Sequence, residues 1–191
     1  ANDEVNPASY GVPADPGYEG QDGWAGNDDQ EKYNLHHIRK YTLWGNLMAG
    51  GAGVEYYFGY KAPQNDLVCE DLRSRDRSWD YCSYALKFFW GLDTDLNTLA
   101  SANHLVGNQP GENGNWCLAN EDELYVIYLP EGGDVEIDLT SADGNYNLAW
   151  YNPRTGKARL SDTKVAGGAK VSLKSTDESH EDWAIVLRRI R

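Results

Sequence analysis

The sequence predicts an α/β region followed by a small all-β domain, on three observations. Residues 1 to about 100 run loop, helix, strand, loop, helix. The region from Ser101 to Asn115 then turns Gly-, Asn- and Pro-rich. Beyond it come short alternating or apolar runs separated by turn residues, the rhythm of a β-sandwich. The boundary is placed between residues 108 and 109.

Each element has its own signal. Pro7 to Asp29 is rich in Gly, Pro, Asp and Asn and predicts a long irregular loop, of the kind that is usually functional in compact domains. Asn27 or Asp28 then caps a predicted helix, with Asp29 and Glu31 in its first turn and Tyr33, Ile38, Tyr41, Leu47 and Met48 as its apolar face. Gly50-Gly51 stops it after about five turns. The segment Ala52 to Phe58 is β-branched and aromatic, and predicts a short buried strand ending near Glu55. A second helix is expected from about Ser74, with Trp79, Cys82, Ala85, Leu86 and Phe89 at three- and four-residue steps. Strands are expected at Trp116 to Ala119, Leu124 to Leu129, Val135 to Leu139, Tyr146 to Tyr151, Lys170 to Leu173 and Trp183 to Leu187. The turns between them include Glu131-Gly132-Gly133, Asp143-Gly144 and the run Asn152 to Gly156.

Composition excludes several functions. A formal net charge of -13 repels a phosphate backbone, so nucleic acid is not an expected partner. The apolar runs are broken well before the roughly 20 residues a membrane-crossing helix needs, so no membrane span is expected. Thirteen tyrosines and seven tryptophans, against three phenylalanines, favour rings with a polar handle, suited to cores and to sugar-stacking sites alike. Cys69, Cys82 and Cys117 lack the CxxC spacing of a zinc site and leave at most one disulfide, with Cys69 to Cys82 an open pairing. Dinucleotide, P-loop and α/β-hydrolase motifs are absent. No cofactor and no metal is expected. The chain opens on Ala1 without an initiating methionine, which reads as processing or truncation.

The candidate chemistry lies in carboxylates that follow buried strands, because a (β/α)8 barrel projects its catalytic groups from the C-terminal ends of its strands. Asp3-Glu4, at the head of the long loop, and Glu55 occupy such places. Spacing alone leaves open whether they are solvated surface carboxylates. His36-His37 are adjacent on a predicted helix, point in different directions and read as structural. The cluster Asp22, Asn27, Asp28, Asp29 and Glu31 offers hard oxygens for calcium but lacks the spacing of a calcium loop and reads as a capped helix start.

The stretches DEVNPASYGV, IRKYTLWGNLMAGGAGVEYYFGY and DLRSRDRSWDYCSYALKFF resemble the last part of the barrel in secreted bacterial glycoside hydrolases of apiosidase-like type. The tail, marked by WYNPRTG, resembles the β-domain appended to them, which carries the name of a collagen-binding domain of a collagenase. The resemblance implies that residues 1–108 are the C-terminal portion of a (β/α)8-barrel catalytic domain and 109–191 a β-sandwich domain. It implies hydrolysis of a plant or algal oligo- or polysaccharide by a secreted, periplasmic or cell-surface enzyme. Glu4 matches the place of the family's nucleophile, with Tyr18-Glu19 similar to a displaced Tyr-Glu pair that makes Glu19 its rival. Asp3, Glu19, Trp24, Glu55 and Tyr57 would line the sugar site. The acid/base partner would come from the fourth barrel strand, in an N-terminal portion of the same enzyme, present in the same product or as a separate chain. Retaining and inverting chemistry both remain open. The alternatives are a polysaccharide- or collagen-binding module and a non-catalytic barrel relative.

Overall fold

The computed structural model describes residues 11–15, 17–18, 34–59, 67, 71–108, 114–120, 122–175 and 180–191. They divide into two compact units, Ala1–Leu47 with Gly51–Ser83 and Met48–Gly50 with Tyr84–Arg191.

In the first unit Asn34 sits in extended conformation and its side-chain oxygen accepts from the backbone N–H of His37 at 2.7 Å, which caps the helix there. Asn27 and Asp28, expected as the cap, lie outside the described residues; the described helix starts after Asn34, whose side chain reaches the orphan amide of the first turn. The residues before Asn34 in the expected helix lie outside the described ones. The helix runs as α1 (Leu35–His37), a π-helical stretch Ile38–Trp44 and α2 (Gly45–Met48). The wider π turn breaks the 3.6-residue period. Buried positions consequently fall side by side at Ile38-Arg39 and Thr42-Leu43-Trp44, where the helical spacing singled out Tyr41 and Leu47. Gly50, at φ 83°, ends the helix as expected.

The strand expected over Ala52 to Phe58 is not regular: Val54 makes an isolated bridge and Glu55 is exposed. A strand is defined by its neighbours. The apolar run carries the propensity, but the described residues around it supply no ladder. A 3-10 turn, Leu72–Arg75, leads into α3 (Asp76–Gly91), with Asp71 as the cap of the turn. Ala85, Phe88, Phe89 and Leu92 are buried, whereas Leu86, expected on the same face, is 48% exposed.

The second unit is two sheets around one core. The larger has the order β1 (Ala100–Ser101), β2 (Trp116–Asn120), β3 (Leu124–Leu129), β8 (Trp183–Arg189), β5 (Asn145–Asn152), β6 (Lys157–Ala166), all antiparallel. The smaller pairs β4 (Val135–Asp138) with β7 (Lys170–Leu173). Alternate residues Tyr125, Ile127 and Leu129 of β3, Ile185 and Leu187 of β8, and Leu148 and Trp150 of β5 share one apolar cluster with Val135, Ile137 and Leu173 of the small sheet. β3 is central and buried on both faces, which explains its unbroken apolar run. Tyr125, Tyr128 and Trp150 are thus core side chains, as their place in strands suggested.

Candidate functional site

Of the sequence-predicted site residues, Asp3, Glu4, Glu19 and Trp24 lie outside the described residues. Glu55 is exposed and Tyr57 half-buried. The short described part of the long loop lies directly against the segment that follows Glu55: Val12 N–H donates to the Tyr57 carbonyl at 2.7 Å, and Val12 and Ile38 form a small core on which Tyr56 and Tyr57 pack. Gly11 makes this approach possible. It sits at φ 56°, and a Cβ there would collide with the backbone of Phe58 and Gly59.

Two buried groups tie the same segment to the start of α3. Arg75, fully buried, donates from Nε to the Val12 carbonyl at 3.1 Å and places its guanidinium 4.6 Å from the centre of the Phe58 ring. Asp15, 9% exposed, accepts from the Arg77 amide at 3.0 Å, while its own N–H donates to the Ser74 carbonyl at 2.7 Å. Asp15 therefore satisfies an orphan donor at the helix N-terminus from 62 residues away. Burial raises its carboxyl pKa, against the lowering by the Arg77 amide and charge. Asp71, held by two side-chain bonds from Arg73 at 2.9 and 2.8 Å, is pulled down to about 2. Burial pushes the Tyr56 phenol well up, and the adjacent Cys82 thiol acts in the same direction.

Sequence reasoning missed Asp15, Arg39 and Arg75 as organisers. A charged residue in a turn-rich loop or on a helix reads as solvated, and nothing in its spacing reports burial. Arg39 is fully buried in the π stretch, 2.7 Å from His36 Nδ1 and with its guanidinium 4.7 Å from the Tyr81 ring centre. His36 is thereby engaged structurally, and His37 packs on the Tyr41 ring at 4.7 Å between centres. Among the described residues no group of three or more His, Cys, Asp or Glu side chains could hold a metal ion. Cys82 and Cys117 are both free thiols; Cys69 is outside the described residues. Burial pushes Cys117 up to about 12.

In the second unit the WYNPRTG motif is structural. Asn152 Oδ1 accepts from the Arg154 amide at 2.9 Å, and Arg154 Nη1 reaches the Asp182 carbonyl at 2.9 Å and its carboxylate at 3.5 Å. Asp182 is fully buried and also accepts from the Tyr128 hydroxyl at 2.7 Å. Gly156, at φ 68°, leaves room for the Tyr84 ring, which a Cβ would strike.

This architecture, helices with an antiparallel β-sheet domain, is shared with glycoside hydrolases of known structure. A glycoside hydrolase family 5 structure from Bacteroides vulgatus ATCC 8482 matches with a TM-score of 0.66 at 15% identity, over 85% of this chain and 38% of that one. Another glycoside hydrolase structure matches with a TM-score of 0.67 at 15% identity, over 94% of this chain and 40% of its own. At that identity the likeness is one of fold. The chain spans about two fifths of the length of these structures. Residues 101–188 match the family described as "Putative collagen-binding domain of a collagenase". No curated protein is significantly similar to the chain. No helix of the described residues is long and apolar enough to cross a membrane.

Proposed function

We propose that the chain is the C-terminal part of a secreted, periplasmic or cell-surface glycoside hydrolase of apiosidase-like type, acting on a plant or algal polysaccharide. Residues 1–108 belong to its (β/α)8-barrel catalytic domain and 109–191 form the β-sandwich domain. Glu4 is the nucleophile or general base, and Asp3, Glu19, Trp24, Glu55 and Tyr57 line the sugar site. The observation that carries this reading is the bond from Val12 to Tyr57 with the glycine contact behind it: the chain that leaves Asp3-Glu4 is seated against the chain that leaves Glu55. Adjacent strand ends of a barrel bring their loops together in this way, and that is where barrel enzymes keep their catalytic carboxylates. The glycoside hydrolases of similar fold support the same reading.

The reaction needs a second carboxyl group, supplied by an N-terminal portion of the enzyme. A separation of about 5–5.5 Å from Glu4 gives retention through a glycosyl-enzyme, and about 6.5–9.5 Å admits a water and gives inversion. In the complete enzyme Glu4→Gln keeps the side-chain shape but removes charge and nucleophilic oxygen, so turnover falls by several orders of magnitude while substrate still binds. Glu19→Gln costs little if that residue only decorates the loop. Near wild-type activity in Glu4→Gln, with loss in Glu19→Gln, transfers the role to Glu19.

The family match over residues 101–188 favours a second reading, in which the β-domain binds polysaccharide or collagen. The burial of Tyr125, Tyr128 and Trp150 weighs against an exposed aromatic platform on those strands. Saturable binding of the isolated tail to fibrillar collagen at physiological salt would establish it.

A further inference from the structure

The larger sheet has a second face, turned away from the core it shares with β4 and β7. There the C-terminal half of α3 is fastened to β5 and β8: Tyr151 donates its hydroxyl to the Tyr84 carbonyl at 2.7 Å, Phe88 packs on the Tyr151 ring at 4.9 Å, and Arg188 bonds to the Leu92 carbonyl. Beside these contacts lies a cavity of about 380 Å³, within the roughly 300–1,000 Å³ typical of ligand sites.

Its chemistry is one-sided. Among the described residues, the charged side chains that line it are Lys87 and Arg188, with no Asp or Glu, in a chain whose net charge is -13. Asn147, also in the lining, has its side-chain oxygen engaged by Lys164, which leaves its amide N–H groups as donors. The remaining wall is apolar and includes Phe88, Val186 and Leu160, the last 71% exposed on an edge strand. Cationic donors without a carboxylate beside them, next to an apolar wall, fit a ligand that has a carboxylate and a C–H face. The floor is made of strand faces, so it offers no ladder of backbone groups to hold a peptide.

We propose that this cavity binds a uronate unit of an acidic polysaccharide, with the carboxylate at Lys87 and Arg188 and the ring against Phe88 and Leu160. The choice of a sugar over another amphiphilic anion rests on the glycoside hydrolase reading above. With no carboxylate among its described lining residues, the site holds the polymer and does not cleave it.

The test is calorimetric titration of the complete protein, carrying Glu4→Gln to prevent turnover, with trigalacturonic acid. Expected are saturable binding, weakening at high salt, at least about tenfold loss in Lys87→Glu, and loss of binding by the methyl-esterified probe, which has the same ring but no charge. Lys87 is on the surface of α3, so the charge reversal leaves the fold intact, and Leu160→Ala provides an independent weakening. Absence of saturable binding, or unchanged affinity in Lys87→Glu, overturns the proposal; so does octanoate binding in place of the sugar acid. Failure of the Glu4 assignment shows instead as retained turnover in Glu4→Gln, without affecting the titration of Lys87→Glu against its parent.

Discussion

Arg154 stands in the turn between β5 and β6, with its side chain 17% exposed, and faces a carboxylate that has no access to water. Arg154→Met preserves most of the aliphatic stem and removes the guanidinium. Asp182 then keeps the Tyr128 hydroxyl at 2.7 Å but loses its cation and the bond to its carbonyl. Stranding one partner of a buried pair costs about 3–5 kcal/mol. The partial exposure of Arg154 lets water approach and places the expected loss near the lower end. Tyr128→Phe removes a hydrogen bond to a charged group, worth about 1.5–3 kcal/mol. The double variant should deviate from additivity, because both changes act on the same carboxylate. Adding Asp182→Asn to Arg154→Met should recover part of the loss, since the stranded charge disappears. Urea unfolding followed by tryptophan fluorescence reads each value; with a slope of about 2 kcal/mol per molar, a loss of about 3 kcal/mol moves the midpoint by about 1.5 M. A midpoint for Arg154→Met within about 0.5 kcal/mol of wild type, the range of ordinary surface changes, would refute the reasoning.

Gly11→Ala forces a side chain onto the backbone of Phe58 and Gly59 and into a positive φ, a conformation that costs about 1–3 kcal/mol. The expected result is faster hydrogen exchange at the Val12 amide, and an unchanged rate would show that the contact is not tight. Two carboxylates should give opposite pH effects. Asp71 is depressed to about 2, so its contribution is present above its unfolded value near ~3.9 and is lost as the pH falls through about 2. Asp71→Asn should flatten the acid limb of the stability curve. Asp15 is raised by burial, so its contribution is present below the unfolded value and is lost as the pH rises through the folded one. Asp15→Asn keeps an oxygen for the Arg77 amide and should gain stability relative to wild type at neutral pH compared with pH ~3. Equal effects at both pH values would contradict the burial argument.

Much of the second unit was legible in the sequence. Six strands were expected, and β2, β3, β4, β5, β7 and β8 each appear within a few residues of the expected bounds, because each has apolar residues that must face a core and turn residues that end it. The two missed strands lacked that signal. β1 has two residues, and β6, as an edge strand, buries only Val165 and bulges opposite Asn147 and Ala149, so its sequence KARLSDTKVA shows no alternation. The Gly50 stop and the second helix were legible for the same local reasons. The π stretch and the exposure of Leu86 were not, since both depend on which neighbours the helices meet.

The candidate site divides along the same line. Residue chemistry alone singled out Asp3-Glu4 and Glu55, because carboxylates after apolar runs are a local pattern. Only the tertiary structure showed that the loop after one lies on the segment after the other, since that rests on a hydrogen bond between residues 12 and 57 and on a glycine whose need for φ above zero arises from that contact. The same holds for WYNPRTG. The sequence marked the motif, but its physical task came from Asp182, 28 residues away, because a buried charge becomes costly only once the fold has removed its water, and its partner can be chosen only then.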